Sequence, residues 1–296
     1  MTETKAPYGT VLNKTPQTVS LTYAGQEIKI TGTGVSLYNE RQKAEISLKK
    51  ILQLDESFGI GNNGEILTVK FGLYAAEEIT AADGSVIPAD GLMDSVYCSE
   101  NGEAVFKADI PVGAKLYVKE ISSDGRYIVS DEIFPAEFVP PDQETVLLKI
   151  TLNGGEPVVN RIIYGSVKGF KADNETGRGT AGAVFGLFKP DETVFSEETA
   201  ILTSVSDENG VFEFKNIPCG EWIIKELKAP HGYELNDEEY KIKISENGQT
   251  VNITVTNKKI PEIPKTGEDW QPAVLLAAIA LSALIIIKIK KRSYEK

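Results

Sequence analysis

Glu226-Leu227-Lys228-Ala229-Pro230-His231-Gly232-Tyr233 has a near copy at Glu3-Thr4-Lys5-Ala6-Pro7-Tyr8-Gly9. A looser copy, without Ala-Pro, stands at Glu120-Ile121-Ser122-Ser123-Asp124-Gly125-Arg126-Tyr127. Each copy is followed by a short strand expected to end in asparagine: Val35 to Asn39, Val158 to Asn160, and Val251 to Asn257. The separations from Glu to Asn are 36, 40 and 31 residues. Working upstream, Phe71-Gly72-Leu73-Tyr74 matches Phe185-Gly186-Leu187-Phe188, and Ile110-Pro111-Val112-Gly113 matches Ile217-Pro218-Cys219-Gly220. From Asn39 to Lys50 and from Asn160 to Lys171 the step is eleven residues in both cases. Self-similarity of this kind marks a tandem array.

The repeats read as all-β. Asn101-Gly102, Asn153-Gly154, Asn209-Gly210 and Asn247-Gly248 lie between alternating runs, the pattern of β-hairpins. Val211-Phe212-Glu213-Phe214 and Tyr240-Lys241-Ile242-Lys243-Ile244 alternate with the period of half-buried strands. Many short strands punctuated by turns predict sandwiches. Residues 1–42 then correspond to the back half of one repeat, 43–163 to a full copy and 164–258 to another, with 259–270 as a spacer. A half-sandwich exposes strand edges and cannot bury its own face. Met1-Thr2-Glu3-Thr4-Lys5 leads into polar sequence with no apolar stretch of the length an export signal needs. Both features lead us to expect that the sequence begins inside a longer gene; a complete short protein is the alternative.

Composition narrows the chemistry. The 296 residues carry a net charge of −12, and an acidic surface argues against nucleic-acid binding. The inventory of one histidine, His231, and two cysteines, Cys98 and Cys219, leaves little from which to build a zinc site or Ser-His-Asp catalysis. Two isolated cysteines make no disulfide framework. No cofactor is implied.

Strand parity points to charged side chains on apolar faces. In Ile46-Ser47-Leu48-Lys49-Lys50-Ile51-Leu52-Gln53-Leu54, one face carries Ile46, Leu48, Leu52 and Leu54, with Lys50 in its middle. Glu120 shares a face with Leu116 and Val118, and Asn160 with Val158 and Ile162. In the next repeat Glu226 follows Trp222 and Ile224, and Asn257 follows Val251, Ile253 and Val255. Lys171 shares its face with Val167 and Gly169 only. Each full repeat thus directs a lysine, a glutamate and an amide inward. Buried charges must pair, neutralise or react. Burial raises a glutamate's pKa and lowers a lysine's, which brings a neutral amine and a protonated carboxyl within reach. The amine is then a nucleophile, the asparagine carbonyl an electrophile, and the carboxyl a proton shuttle. The product is an amide cross-link with loss of ammonia. The other reading is a buried ion pair hydrogen-bonded to the amide, with no bond formed, which can fix register. The residues alone leave both open.

These motifs resemble the B-type domains of collagen-binding adhesins and the prealbumin-like (SpaA-type) domains of Gram-positive pilins, and the likeness covers residues 1–258. The resemblance implies Ig-like or prealbumin-like sandwiches in which a first-strand lysine joins a last-strand asparagine, promoted by a glutamate. Matched motif to motif, the isopeptide triads are Lys50, Glu120 and Asn160, then Lys171, Glu226 and Asn257. Glu3 and Asn39 are the remnant of a third. Lys49 stands beside Lys50 as a competitor.

The chain ends with Ile263-Pro264-Lys265-Thr266-Gly267, an acidic pair, an apolar run from Ala273 to Ile287, and Lys288, Lys290, Lys291 and Arg292. The run falls short of the ~20 residues usually needed to span a bilayer, and snorkelling lysines make up part of the deficit. A transmembrane helix over 271–289 with a cytoplasmic tail at 290–296 puts the large N-terminal part outside. In order and spacing this stretch resembles the LPXTG sorting signal of Gram-positive surface proteins, with isoleucine in the leucine position. The resemblance implies cleavage by sortase between Thr266 and Gly267, and joining of Thr266 to peptidoglycan or to a pilus subunit after transient membrane anchoring.

The leading functional class is therefore structural, a wall-anchored pilin or adhesin stalk, and not an enzyme. The alternative is the stalk and anchor of a surface enzyme or ligand-binding module whose head lies upstream. No residue pattern identifies a host or matrix ligand, and no polymerisation lysine motif stands out, which favours an anchor subunit or non-polymerising adhesin over a shaft subunit.

Overall fold

Two sheets close over each full repeat because successive apolar positions alternate in and out along short strands. The computed structural model describes residues 1–20, 25–26, 32, 34–81 and 83–261. The expected sorting signal at 263–267, the transmembrane segment at 271–289 and the tail at 290–296 lie outside the described residues. The described residues are all-β apart from short 3-10 turns at Glu65–Thr68 and Leu152–Gly155.

The first full repeat contains β1 (Lys43–Leu52), β2 (Lys70–Ala75), β3 (Ile79–Thr80), β4 (Val86–Ile87), β5 (Leu92–Tyr97), β6 (Glu103–Phe106), β7 (Lys115–Ser122), β8 (Ile133–Glu137), β9 (Leu147–Thr151) and β10 (Val158–Asn160). The second contains β11 (Tyr164–Asp173), β12 (Val184–Phe188), β13 (Leu202–Val205), β14 (Val211–Pro218), β15 (Gly220–Lys228), β16 (Glu239–Ile244) and β17 (Thr250–Asn257). In the first, β1 lies between β6 and a last strand broken into β9 and β10, and the facing sheet runs β5-β2-β7-β8. The second repeats this plan, with β14-β11-β17 facing β13-β12-β15-β16. The small β3-β4 hairpin has no counterpart in the second repeat.

The first and last strands of each repeat pair in parallel. Neighbours in sequence therefore often belong to different sheets, and this overturns the hairpin reading of the Asn-Gly pairs. Asn101-Gly102 joins β5 to β6, Asn209-Gly210 joins β13 to β14, and Asn247-Gly248 joins β16 to β17, in each case crossing from one sheet to the other. Asn153-Gly154 sits in the turn that breaks the last strand of the first repeat. Positive φ at the glycine lets the chain reverse. That local chemistry does not specify which strand the next segment joins.

The predicted core faces form. Ile46, Leu48, Phe71, Leu73, Leu116 and Val118 are buried, and so are Val167, Phe185, Leu187, Phe212, Phe214 and Ile224 in the second repeat. Leu54 does not belong to that face. β1 ends at Leu52, and Leu54 is 53% exposed where the chain has left the sheet. The strand expected at Val35 to Asn39 is also absent. These residues pair with no strand among the described residues, and Val35 and Tyr38 are exposed. An isolated strand leaves its backbone polar groups to solvent, so no ladder is defined there.

The full repeats touch through side chains. Tyr164 donates its hydroxyl to Asp55 Oδ2 at 2.8 Å, and Phe58 meets Trp222 edge-on at a centroid distance of 5.0 Å.

Candidate functional site

The lysine and asparagine of each repeat come from parallel neighbours in one sheet. Lys50 is in register with Val158 and Leu52 with Asn160; Lys171 is in register with Val255 and Asp173 with Asn257. In both repeats the lysine thus precedes by two residues the position facing the asparagine, and period-2 alternation sends both side chains to the inner face. The glutamate crosses from the other sheet, where Glu120 is paired with Phe71 and Glu226 with Phe185. Two sheets meeting face to face bring the three together. All six residues are buried, with both lysines at 1% exposure or less.

In the first repeat the three side chains form a closed triangle. Lys50 Nζ donates to Glu120 Oε2 at 2.8 Å and to Asn160 Oδ1 at 2.5 Å, and Asn160 Nδ2 donates to Glu120 Oε1 at 2.5 Å. The carboxylate therefore bridges the amine and the amide nitrogen. The lysine also lies 5.8 Å from the Phe71 ring centroid. Burial lowers the Lys50 pKa, opposed by its hydrogen bond to Glu120. Nearby Cys98 is buried and free, and burial pushes its thiol up to about 11. Lys49 points outward and is exposed, so it does not compete for the site.

The second site holds the same groups in a more open arrangement. Asn257 Nδ2 donates to both oxygens of Glu226 at 2.9 Å, while Lys171 Nζ is 4.0 Å from Glu226 Oε1 and reaches the carbonyls of Ala172 and Val255 at 3.4 Å. Asn257 Oδ1 is buried without a hydrogen-bond partner. Burial lowers the Lys171 pKa, against attraction from Glu226 and Asp173, and burial raises that of Glu226. Lys171 is fully buried although Gly169 supplies no side chain beside it. The Phe212 ring occupies that space, so close that a Cβ on Gly169 would meet it at 2.0 Å, and it stacks on Phe185 at 3.8 Å.

The third pair, Glu3 and Asn39, also meets. Asn39 Nδ2 donates to Glu3 Oε2 at 2.6 Å, and both residues are half-buried.

Parity did not reveal what holds the glutamates. In all three copies the backbone N–H ten residues on donates to the carboxylate: Asn13 to Glu3 at 2.8 Å, Ser130 to Glu120 at 3.3 Å, and Asn236 to Glu226 at 2.8 Å. The recurrence of a small polar residue at that position was the available signal. Glycine backbones brace the lysines as well. Gly102 O accepts from Lys50 N at 2.7 Å and Gly210 O from Lys171 N at 2.6 Å. A Cβ on either glycine would approach the same lysine's carbonyl oxygen to 2.1 and 2.2 Å.

Chemically, each complete site presents an amine with lowered proton affinity to a buried amide, beside a carboxyl that hydrogen-bonds the amide nitrogen. Such an array can hold an ion pair or carry out amide exchange. In the first site, where Lys50 Nζ touches the Asn160 amide, contact of this order supplies the high effective concentration that an intramolecular attack requires.

Residues 165–259 match the family model of the SpaA prealbumin-like fold domain. The chain is 30% identical over 118 residues to the collagen adhesin of Staphylococcus aureus, covering 39% of this chain and 10% of that protein. It is 31% identical over 100 residues to the trypsin-resistant surface T6 protein of Streptococcus pyogenes serotype M6, covering 33% of this chain and 18% of that protein. The chain thus spans under a fifth of the length of these curated relatives. Among solved structures, the Bacillus anthracis TIE protein shares the fold with a TM-score of 0.60 at 23% identity, over 87% of this chain and 41% of that one. The match to the prealbumin-like fold model thus falls on the second repeat.

Proposed function

We propose that this chain is a load-bearing section of a Gram-positive cell-surface protein, a pilin or adhesin stalk, stiffened by self-formed Lys50–Asn160 and Lys171–Asn257 isopeptide bonds. The observation that carries the reading is the meeting of lysine, glutamate and asparagine in the buried centre of both full repeats. The neutral lysine amine attacks the asparagine Cγ, and the carboxyl relays a proton from that amine to Nδ2. The Cγ–Nδ2 bond breaks, ammonia leaves, and an amide joins the two strands. The reaction turns over once and makes the chain no enzyme. Because the bond links the parallel first and last strands, tension entering one passes directly to the other without loading the ladder between them.

The division into 1–42, 43–163 and 164–258 is part of this proposal, supported by the recurrence of one strand plan in the two full repeats. So is anchoring. The motif Ile263 to Gly267, the apolar run and the basic tail support hand-over by sortase at Thr266 to peptidoglycan or a pilus subunit, after a transient stay in the membrane. That assigns the described residues to the outside of the cell. The names of the relatives, an adhesin and a surface protein, agree with a surface role.

The intact mass of the purified chain tests the cross-links. It is expected to lie two ammonia losses below the sequence mass, with peptides containing Lys50 and Asn160, and Lys171 and Asn257, joined after digestion. A mass equal to that of the sequence refutes the bonds and leaves buried ion pairs. For anchoring, incubation with sortase and an amine nucleophile should release the segment after Thr266, and Thr266→Ala should prevent it.

A further inference from the structure

We propose that the outer face of the β5-β2-β7-β8 sheet docks an acidic segment of a partner protein, which seats an aromatic side chain against Tyr74, Tyr117 and Lys119. This face lies on the outside of the first repeat, and docking there does not depend on the cross-links inside it.

The two full repeats place matching residues on this face. Tyr74 is paired with Tyr117 and Gly72 with Lys119 in the first, as Phe188 is with Ile223 and Gly186 with Lys225 in the second. These positions lie an odd number of residues from the buried Phe71–Glu120 and Phe185–Glu226 pairs, so alternation turns them outward. The glycines leave the same hollow in both. A Cβ on Gly72 would come within 2.6 Å of the Tyr74 ring and 2.8 Å of Ile121, and one on Gly186 within 2.5 Å of the Phe188 ring and 2.9 Å of Leu227. Neighbouring side chains lean across each glycine and join into one apolar surface.

The second repeat covers that surface with its own chain. The connection from β12 to β13 lays Phe195 edge-on against Phe188 at a centroid distance of 4.9 Å, and Lys225 lies 4.9 Å from the Phe195 ring centroid. Phe188 is fully buried and Ile223 nearly so. The covering stretch, Pro190-Asp191-Glu192-Thr193-Val194-Phe195-Ser196-Glu197-Glu198-Thr199, carries carboxylates on both sides of its ring.

In the first repeat the corresponding connection folds into the β3-β4 hairpin instead, and Asp90 at its end accepts the Tyr117 hydroxyl at 2.8 Å. The Tyr74 and Tyr117 rings lie parallel within 8° at 5.2 Å, and Lys119 lies over Tyr74 itself, 4.6 Å from its centroid. Leu92 and Ile121 extend the surface and are exposed. A contiguous exposed patch of aromatic and aliphatic side chains marks an interaction site. Charge then selects the partner. Lys119 and Lys70, the latter 5.2 Å from the Tyr97 ring, form no ion pair among the described residues. The carboxylates of Glu77 and Glu137 belong to the other end of β7, where Glu77 pairs with Lys115 at 3.3 Å and Glu137 lies opposite it. In a chain of net charge −12, this face therefore offers two cations beside aromatic rings. That arrangement complements a segment built like 190–199, an aromatic anchor between carboxylates.

The test measures binding of a fluorescein-labelled peptide with the sequence of residues 190–199 to the purified full chain by fluorescence anisotropy. Saturable binding is expected, weakening as salt rises. Replacing the peptide's phenylalanine by alanine, or introducing Tyr74→Ala in the chain, should weaken it about tenfold, the scale of an aromatic anchor. Lys119→Glu should weaken it as much without moving the melting temperature, which keeps the face under test even where Tyr74→Ala does not fold. Lys225→Glu, on the covered face of the second repeat, should leave peptide binding unchanged. Absence of binding, binding indifferent to Lys119→Glu, or binding lost only in Lys225→Glu overturns the inference. Equal binding of the alanine peptide also overturns it, by showing charge attraction alone. Lys119-dependent binding of a sialylated oligosaccharide, with none of the peptide, overturns it in favour of a glycan site. Intact mass of the same samples reads the internal ammonia losses separately, so failure of docking and failure of the cross-links are told apart.

Discussion

The site in the first repeat is a closed triangle of hydrogen bonds, whereas that in the second leaves Lys171 4.0 Å from its glutamate and Asn257 Oδ1 without a partner. The parallel register of lysine and asparagine and the residue types are the same in both, although the last strand is broken in the first repeat and continuous in the second. The contrast teaches that register delivers the groups to one place, while the surrounding packing decides how they contact. In the first site the amine touches both partners, so an unreacted state is well satisfied as an ion pair. The second has a buried carbonyl oxygen with nothing to accept from, which costs about 1–3 kcal/mol in an unreacted state. The proposed reaction would therefore relieve more in the second site than in the first.

The largest effect that would break this comparison is expected from Glu226→Ala. It removes the proposed proton relay and the carboxylate nearest the buried Lys171, a loss of about 3–5 kcal/mol before any cross-link is counted. One ammonia loss should vanish from the intact mass and the second repeat should unfold first in a thermal scan, whereas Glu120→Ala should act on the first repeat alone. Unchanged mass in both variants would remove the glutamates from the chemistry.

Gly169→Ala should be next in size. Its Cβ meets the Phe212 ring at 2.0 Å, and overpacking of a tight core typically costs about 1–3 kcal/mol. Denaturant unfolding should report that loss in the second repeat only. A neutral result would mean that Phe212 does not support Lys171.

A pH effect sharpens the comparison further. With Asn257→Ala no second bond forms, and Glu226 keeps a folded-state pKa raised above 4.5 by burial. The folded chain then holds that proton more tightly than the unfolded chain. The resulting stabilisation is fully present below 4.5 and is lost as pH rises through the raised value. The difference in pH slope between Asn257→Ala and the double variant Asn257→Ala/Glu226→Gln isolates this contribution. A slope of opposite sign would contradict the raised pKa.

The smallest expected change comes from Tyr164→Phe, which removes the hydroxyl donated to Asp55 between the repeats. A loss of about 1 kcal/mol or less is expected, with both ammonia losses retained. A lost cross-link would mean that the repeats do not form their sites independently.

Much of the site is legible in the sequence alone. Period-2 alternation around Lys50, Glu120 and Asn160 follows from the residues themselves, because a charged side chain in an apolar row must either be buried with a partner or expose that row. Repeats in the sequence supplied the same triad again at Lys171, Glu226 and Asn257, even where Gly169 weakened the pattern. The all-β class and the turns at Asn-Gly were equally local in origin. The tertiary structure decided what no local pattern encodes. It sent the chain across to the facing sheet at Asn101-Gly102, Asn209-Gly210 and Asn247-Gly248, paired the first and last strands in parallel, and let Phe212 fill the space left by Gly169. Turn residues fix how the backbone reverses, and alternation fixes which side chains share a face. Which face meets which depends on contacts between segments far apart in the chain, and only the packed sandwich determines those.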